Sequence, residues 1–383
     1  MKKLVAVLII ISNLICMSGC SGTADIEKRA IVQIAGIDRT DNGYKVSMQI
    51  FAPDGEMLEN KGGAKVDVIT GTGNSIYSAI KEIEMKTGKE VFLGHNVLLF
   101  LGENTRNENI NNLLEYFTQG NYVFPGLDLV MTNGNAYDFV SLKLSTGLLS
   151  SQTMEDILKI SIRNGNAKRA QLAHVVADSR QTQKTAAIPI VDIAEIAQDI
   201  EVNEEGNDIN TQDTKVLSFN KTAVFKDNKY ILSLDKDQTM GLKWLNDDVQ
   251  NAFININVNG VPIGVSINKA KTTLRPRISE GKVVIDTQIK INATATGNLS
   301  VIGTSDDDLE SLIKKEINNQ ILSQCESTQD ILLKKYRADV LDIEKLLRYY
   351  ERSFYIQSHD DFESVIENTR YGIGIKCDLK IHR

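Results

Sequence analysis

The spacing of apolar residues predicts that strands and helices alternate in the first half of the chain. Residues 44–50 alternate strictly between apolar and polar side chains, which is typical of a half-buried strand. After Asn74 or Ser75, either of which can cap a helix, apolar side chains recur at helical spacing. The predicted elements are strands over 30–37, 44–50, 91–101 and 127–131, and helices over 76–83 and 107–118. Their alternation indicates mixed α/β construction.

Hairpins predominate after a polar, acidic segment at 199–213. A first hairpin is expected around the turn at 226–229, between two apolar runs. Asn259-Gly260 joins two alternating runs, which is the strongest short-range signal for a hairpin. Pro262 is the second residue of the second run and predicts that this return strand lies at a sheet edge, because proline has no N–H to donate to a neighbouring strand.

The last third of the chain predicts the order strand, helix, helix, strand. Residues 283–293 and 373–381 alternate between apolar and polar side chains, as expected for two strands of one sheet. The second helix is expected over about 343–354, with Leu346, Leu347 and Tyr350 facing inward. The first helix is predicted from apolar side chains at four-residue steps, namely Leu309, Ile313, Ile317, Ile321 and Cys325.

Two cysteines, Cys325 and Cys377, remain once those in the first twenty residues are set aside. The patterns place Cys325 on the sheet-facing side of its helix and Cys377 on the helix-facing side of its strand. Either both are small core residues, or they form a disulfide. A bond between them would close a long loop and stabilise the fold by roughly 4 kcal/mol in the chain-entropy model.

Together these patterns predict an α+β fold with several domains, in which helices pack on mixed sheets rich in antiparallel strands. We place a domain boundary at the acidic segment, because its polar composition is typical of a linker or surface loop. The predicted division is a signal peptide at 1–19, an N-terminal α/β domain at 20–198, an acidic linker or loop at 199–213, a hairpin-rich middle domain at 214–280 and a C-terminal strand–helix–helix–strand domain at 281–383.

The start of the chain predicts export and attachment of lipid. Lys2 and Lys3 precede an apolar run at 4–15, which is too short to span a bilayer as a helix. The sequence at 18–20 then places two small residues before a thiol that can carry a diacylglyceryl group. Cys20 is therefore the predicted lipidation site, since two acyl chains hold a protein stably at a membrane. The alternative is an ordinary signal peptide with a cysteine nearby by chance.

Charge and candidate chemistry exclude several classes of protein. The formal net charge is −7, and it becomes −9 without residues 1–19, which contain two lysines and no acid. An acidic chain argues against nucleic acid as a partner and against electrostatic adsorption to anionic lipid. The four histidines stand in no metal-ligand spacing, and the glycine-containing loop at 71–75 lacks the lysine of a phosphate loop. No catalytic residue, metal site or cofactor is predicted.

The roles of His95 and Trp244 can each be interpreted in two ways. His95 lies within an apolar run, and we expect a structural histidine rather than a metal ligand. Trp244 either packs in the core or anchors a partner interface, as buried tryptophans often do in complexes.

Six short segments, taken in their order along the chain, are informative about the family. They are SGC at 18–20, IVQIAGID at 31–38, FLGHNVLLFLGE at 92–103, TAVFKDNK at 222–229, GLKWL at 241–245 and IGIKCDLKIHR at 373–383. In this order they resemble the Ger(x)C lipoproteins, the C subunits of spore germinant receptors. The resemblance covers nearly all of the chain after residue 19. The chain departs from the family in having Ser21-Gly22 where a Trp-Asp pair is usual, and no Trp between 337 and 354.

The resemblance implies a three-domain mixed α/β protein on the outer face of the spore inner membrane. Such a protein would act beside integral-membrane subunits of the A and B types, which sense nutrients, without nucleic acid or a cofactor. No catalytic residue comes with the family, and Cys20 alone carries over as a functional site, for lipidation. Two other classes stay open as alternatives: a solute-binding lipoprotein of a transporter, which predicts two similar lobes, and a secreted enzyme, which needs a catalytic constellation.

Overall fold

The computed structural model describes residues 28–51, 66–119, 123–124, 126–142, 150–179, 185–196, 214–297 and 305–382. The predicted signal peptide at 1–19, the lipidation site Cys20 and the acidic segment at 199–213 lie outside the described residues. The strands are β1 (Arg29–Thr40), β2 (Gly43–Phe51), β3 (Val66–Gly73), β4 (Glu90–Phe92), β5 (Leu98–Leu101), β6 (Asp128–Thr132), β7 (Thr185–Ile196), β8 (Thr214–Lys226), β9 (Lys229–Leu234), β10 (Ala252–Val258), β11 (Val261–Ser279), β12 (Lys282–Thr296) and β13 (Arg370–His382). The α-helices are α1 (Ile76–Thr87), α2 (Ile110–Gln119), α3 (Ala136–Val140), α4 (Ser150–Arg163), α5 (Leu172–Ser179), α6 (Lys236–Leu245), α7 (Asp306–Gln329), α8 (Ile343–Tyr350), α9 (Arg352–Ser358) and α10 (Phe362–Asn368).

One large sheet has nine strands, in the order β3-β2-β1-β5-β6-β7-β8-β9, with β4 paired to β1. Its middle is parallel, since β1, β5, β6 and β7 run in one direction. Towards its two edges the sheet is antiparallel, with β2 and β3 at one edge and β8 and β9 at the other. This mixed sheet, with helices between its strands, confirms the predicted α+β class.

The small sheet has four strands in the order β10-β11-β12-β13. Neighbouring strands are antiparallel except for β12 and β13, which run parallel, with Ile289 opposite Ile375. The first and last strands of the predicted strand–helix–helix–strand order are therefore neighbours in one sheet. The chain between them forms α7 to α10, which pack on one side of that sheet.

Sheet pairing groups the strands differently from the predicted domains. β7 and β8 are antiparallel neighbours over their whole length, from Thr185 opposite Lys226 to Ile196 opposite Thr214. The segment at 199–213 thus connects two adjacent strands of the large sheet. The predicted middle domain at 214–280 contributes β8 and β9 to the large sheet and β10 and β11 to the small one. Composition shows where the chain is polar, but the partner of each strand depends on contacts distant in sequence.

The core of the large sheet lies on both of its faces. One face packs against α1 and α2, whose side chains Ile80, Ile83, Leu113 and Phe117 are buried. The other face packs against α3 and α4 through the buried side chains Ala136, Phe139, Val140, Met154 and Leu158. The apolar faces predicted for the helices at 76–83 and 107–118 are confirmed, and so is the cap of the first, where Ser75 accepts the N–H of Ser78 at 3.1 Å.

The helix α7 confirms the four-residue apolar pattern, because all five predicted side chains are at most 3 % exposed. The second predicted helix is wrong in two respects. It ends at Tyr350 and is followed by the separate helices α9 and α10, and Tyr350 is 58 % exposed rather than inward. Ile343 and Leu347 are the buried pair of α8, and Leu346, which was predicted to face inward, is only partly buried.

Two strand predictions also need correction. The run at 91–101 forms two short strands, separated at 93–97 by a turn in which His95 is exposed rather than enclosed. Pro262 lies in β11, which is an inner strand of the small sheet, so the edge prediction is wrong for the strand. It holds locally, because pairing of β11 with β12 starts only at Gly264, and the missing N–H of Pro262 faces no partner on that side.

Cys325 and Cys377 are free thiols in the structure. Cys325 is fully buried on α7, and Cys377 is partly buried on β13 in the same apolar cluster. Both therefore act as small core residues, which is the first of the two interpretations.

Candidate functional site at the junction of the two sheets

The helix α6, here called the junction helix, begins at a reciprocal cap. The Asp235 carboxylate accepts the N–H of Gln238 at 2.8 Å, and the Gln238 side chain accepts the N–H of Asp235 at 3.1 Å. The two interactions satisfy N–H groups that a helix start leaves without partners. All residues from Thr239 to Leu245 are buried, so the helix is enclosed on every side. Such enclosure places it between other elements rather than on a surface.

Successive side chains of the junction helix contact different parts of the fold. Leu242 packs with Val224, Leu232 and other residues of β8 and β9 in the large sheet. Trp244 is fully buried in the core of the small sheet, so core packing is the correct interpretation for it. Because neighbouring residues on a helix point about 100° apart, one turn of helix can contact both sheets. The segment at 241–245 therefore joins the two halves of the molecule.

The junction helix is also held tightly against α7. Trp244 Nε1 donates to Gln324 Oε1 at 3.0 Å, and Gln324 Nε2 donates to Asp237 Oδ1 at 2.9 Å. At Gly241 a Cβ atom would lie 2.1 Å from the backbone oxygen of Gln324. Only glycine permits this approach of two helix backbones, and the Thr328 hydroxyl then reaches the Gln238 carbonyl at 2.9 Å.

Lys243 ties the junction helix to the last turn of α4 and to the loop that follows it. Its side chain is 1 % exposed, and its Nζ donates to the carbonyls of Ile162 at 2.5 Å and Ala167 at 2.9 Å. Burial lowers the pKa of Lys243 to about 8; nearby Asp248 raises this pKa and Lys168 lowers it further. The bonded acceptors are neutral carbonyls, so desolvation outweighs the attraction of Asp248.

A cleft of about 1150 Å³ opens beside Lys243, between the two halves. Lys168 on the large-sheet side forms an ion pair with Asp248 on the small-sheet side. Lys271 pairs with Asp247 on the same rim. These pairs leave the cleft polar but largely balanced in charge at its rim.

Asp339 lines the same cleft and caps the helix α8. Its carboxylate accepts the N–H of Ile343 at 2.7 Å and of Glu344 at 3.0 Å. Burial raises the pKa of Asp339 from 3.8 to about 6, against the lowering effect of these hydrogen bonds. The folded protein thus binds a proton more tightly than the unfolded chain does in this pH range.

We expect Asp339→Asn to remove a pH dependence of stability. Between the unfolded pKa of 3.8 and the folded pKa of about 6, the native chain loses stability as pH rises, because its folded state holds more protons. The free energy of unfolding of the native chain, minus that of the variant, should fall by about 3 kcal/mol across this range. Urea unfolding at a series of pH values measures it, and a difference independent of pH would contradict the assignment.

Two of the segments singled out by sequence meet at the end of β1. The β1 residues Ile34 to Ile37 pair in parallel with Leu98 to Leu101 of β5. Asp38 follows them, only 4 % exposed, and accepts the N–H groups of Ala136 at 2.7 Å and Tyr137 at 3.0 Å at the start of α3. Burial raises the pKa of Asp38, and these hydrogen bonds oppose the rise. The carboxylate is therefore engaged in holding a helix.

Other groups with chemical potential are also committed to the fold. Burial raises the pKa of Cys325 to about 12 and that of Cys377 to about 11, so neither thiol ionises appreciably at neutral pH. Within the described parts of the chain, no three His, Cys, Asp or Glu side chains converge as a metal site. The helices in those parts include none long and apolar enough to cross a membrane.

Both halves of the chain match models of known domains. The model of the spore germination protein N-terminal domain matches residues 22–193, and that of the spore germination B3/GerAC-like C-terminal domain matches residues 220–383. The chain belongs to the Ger(x)C family of spore germination proteins.

Relatives and a solved structure agree with this membership over most of the chain. Spore germination protein B3 of Bacillus subtilis (strain 168) is 21 % identical, over 95 % of this chain and 94 % of its own. Spore germination protein KC of the same strain is 23 % identical, over 89 % and 85 %. The crystal structure of the GerBC protein superposes with a TM-score of 0.56 at 18 % identity, covering 91 % of this chain and 97 % of that one. The fold is therefore that of the GerBC protein.

Within this Ger(x)C protein, the structure locates most of the segments that indicated the family, but it describes neither Cys20 nor its surroundings. Sequence patterns missed the roles of Lys243, Asp38 and Asp339. For Lys243 the sequence did offer a signal, because this lysine interrupts, between Leu242 and Trp244, an apolar run that is otherwise typical of a core helix. Nothing local marks Asp38 as the cap of a helix that begins 98 residues later, whereas Asp339 caps the helix that begins only four residues after it.

Proposed function

We propose that the chain is a lipid-anchored, non-catalytic subunit of a spore germinant receptor, required for nutrient-triggered germination. The match of both halves to spore germination domains, in their order along the chain, carries this proposal. The relatives that it matches over most of their length are named spore germination proteins. In this role the protein acts beside integral-membrane subunits of the A and B types.

Cys20 supplies the anchor in this proposal. A short apolar run with lysines before it and two small residues after it precedes the thiol, as in exported lipoproteins. Two acyl chains on Cys20 hold the body at the outer face of the spore inner membrane. The commitment of Asp38, Lys243 and both described thiols to structural contacts supports a role in assembly rather than in catalysis.

We expect spores that lack the gene to lose their response to particular nutrients, in a strain whose other germinant receptors have been removed. Release of dipicolinic acid measures this response across a panel of nutrients. The native chain should restore it, and Cys20→Ala should restore little of it, because the unlipidated protein leaves the membrane. Cys16→Ala is the matched control, since it changes another cysteine of the same segment without touching the anchor.

Two outcomes would contradict parts of the proposal separately. Full restoration by Cys20→Ala would contradict the anchor and leave the receptor role in place. A normal response in the absence of the gene would contradict the receptor role itself.

The cleft beside Lys243 supports one alternative, a solute-binding lipoprotein of a transporter. Its volume of about 1150 Å³ is enough for a small solute, and its rim carries cations and carboxylates. That class predicts two similar lobes, whereas the two halves are built on a nine-stranded and a four-stranded sheet. Calorimetric titration with amino acids and sugars separates the two functions, because heat of binding at a single site would favour the alternative.

A further inference from the structure

The outer side of the small sheet, opposite its helices, carries a row of lysines. Lys271 lies directly opposite Lys290, and Lys290 lies directly opposite Lys376, so three lysines stand side by side on three neighbouring strands. All three side chains are exposed. Side chains two residues apart on a strand share a side, so Arg275, Arg277 and Lys380 belong to this side as well. We call these six residues the cationic face.

Carboxylates balance only part of this charge. Asp286 and Asp378 point to the same side, and Asp286 binds Arg277 at 2.7 Å. Lys271 pairs with Asp247. Among the residues that the structure describes, Lys290, Lys376 and Lys380 form no ion pair. Like charges directly opposite one another destabilise a sheet. The lysine row therefore works against the stability of the isolated protein, which points to a partner of opposite charge.

We propose that the cationic face docks on a bilayer surface that contains anionic phospholipid. β12 runs through the middle of the face, and its length of about 50 Å, at about 3.3 Å per residue, spans many headgroups. Lysine and arginine near such a surface are each attracted to its negative potential. The face is an exposed side of a sheet rather than a groove, which suits a continuous surface.

Nucleic acid suits this face less well. Proteins that bind single strands combine cations with aromatic side chains on which bases stack. On the outer side of the sheet, the rows from Lys271 to Arg277 on β11, with their partners on β12 and β13, carry no aromatic side chain. An exposed phenylalanine on the same side of the sheet, Phe253, stands on β10, which is the opposite edge strand from that of Lys376 and Lys380. The charge of the face offers attraction without the stacking platforms that such recognition uses.

The net charge of −7 predicts no electrostatic attraction of the whole chain to anionic lipid. That expectation treats charge as uniform over the surface. At physiological ionic strength, screening limits electrostatic interactions to about 8 Å, so a bilayer senses the face that approaches it rather than the whole chain. Segregation of cations on one side of the small sheet thus permits docking by an acidic protein.

The inference rests on the proposed membrane location, where the face would orient a body that the lipid tethers. Its test uses no lipid anchor, so its failure is distinct from failure of the germination experiment. All elements and contacts described above lie within residues 28–382, and a chain that begins at Ser21 keeps the whole of this fold. Circular dichroism and thermal unfolding of each variant confirm that it is folded.

The experiment is co-sedimentation of this chain with vesicles of phosphatidylcholine, alone or mixed with phosphatidylglycerol. We expect binding only to the mixed vesicles, and loss of that binding as salt is added. The variant Lys290→Gln/Lys376→Gln/Lys380→Gln should bind about a hundredfold more weakly, at roughly fivefold for each charge near the surface. Lys221→Gln/Lys229→Gln/Lys236→Gln is the matched control, because it removes the same charge from exposed lysines at the side of the large sheet.

Equal weakening by the two triple variants would overturn the proposal, because net charge would then explain the binding. Equal binding to both kinds of vesicle would overturn it as well. Binding to a single-stranded RNA oligonucleotide in place of vesicles would assign the face to nucleic acid and would also contradict it.

Discussion

Replacing Gly241 with alanine should lower the free energy of unfolding by about 3 kcal/mol, even though alanine favours a helix by about 1 kcal/mol over glycine. A Cβ atom at this position would lie 2.1 Å from the backbone oxygen of Gln324 and 2.2 Å from the Thr328 hydroxyl. A backbone atom inside a long helix cannot move aside as a side chain can. The junction helix must therefore shift away from α7, and the Trp244–Gln324 hydrogen bond must lengthen.

Gly372→Ala is the matched control for this prediction. The nearest atom to a Cβ at Gly372 is the Asp286 carboxylate oxygen at 3.3 Å, which belongs to a side chain that can turn. We expect this variant to change stability by less than about 1 kcal/mol. Urea unfolding followed by circular dichroism and by Trp244 fluorescence measures both variants. Equal stability of the two variants would show that the contact between the helices is looser than the structure has it.

Replacing Asp38 with alanine should lower the free energy of unfolding by about 2–3 kcal/mol. The substitution leaves the N–H groups of Ala136 and Tyr137 without acceptors at a buried site. Two hydrogen bonds to a charged group would together contribute more than the expected loss of about 2–3 kcal/mol. Desolvation offsets part of their gain, and the raised pKa of Asp38 is the sign of that cost.

Asp38→Asn separates the hydrogen bonds from the charge. The amide oxygen keeps one acceptor in place and removes the buried charge, so we expect a loss of about 1 kcal/mol. The same unfolding experiments apply. An alanine variant as stable as the asparagine variant would mean that water replaces the carboxylate, and that the contact between β1 and α3 does not depend on Asp38.

The contrast between α7 and α8 shows where pattern recognition fails. Five apolar residues at four-residue steps fix the buried stripe of α7, because a long amphipathic helix has only one way to cover a sheet. In α8 a stripe through Leu346, Leu347 and Tyr350 also satisfies helical spacing. The structure buries Ile343 and Leu347, whereas Leu346 is only partly buried and Tyr350, at the end of the helix, is exposed.

The same limit applies to the candidate functional site. Spacing places Lys243 on a helix, but only the approach of the end of α4 and of the loop after it gives Lys243 the carbonyls of Ile162 and Ala167. These residues are about eighty positions away in the sequence. Likewise, the pattern predicts that Lys290 and Lys376 point away from the core, and only strand register places them beside each other and beside Lys271.

By itself, the sequence determined the α+β class, most strands and helices, the α7 stripe and the family, because these depend on local periodicity and on the order of short segments. Tertiary structure alone decided that the chain on both sides of the acidic segment shares one sheet, that Lys243 and Asp38 serve as buried ties, and that cations collect on one face. Each of these depends on which distant segments become neighbours, and that choice is made by packing and pairing over the whole chain rather than by local propensity.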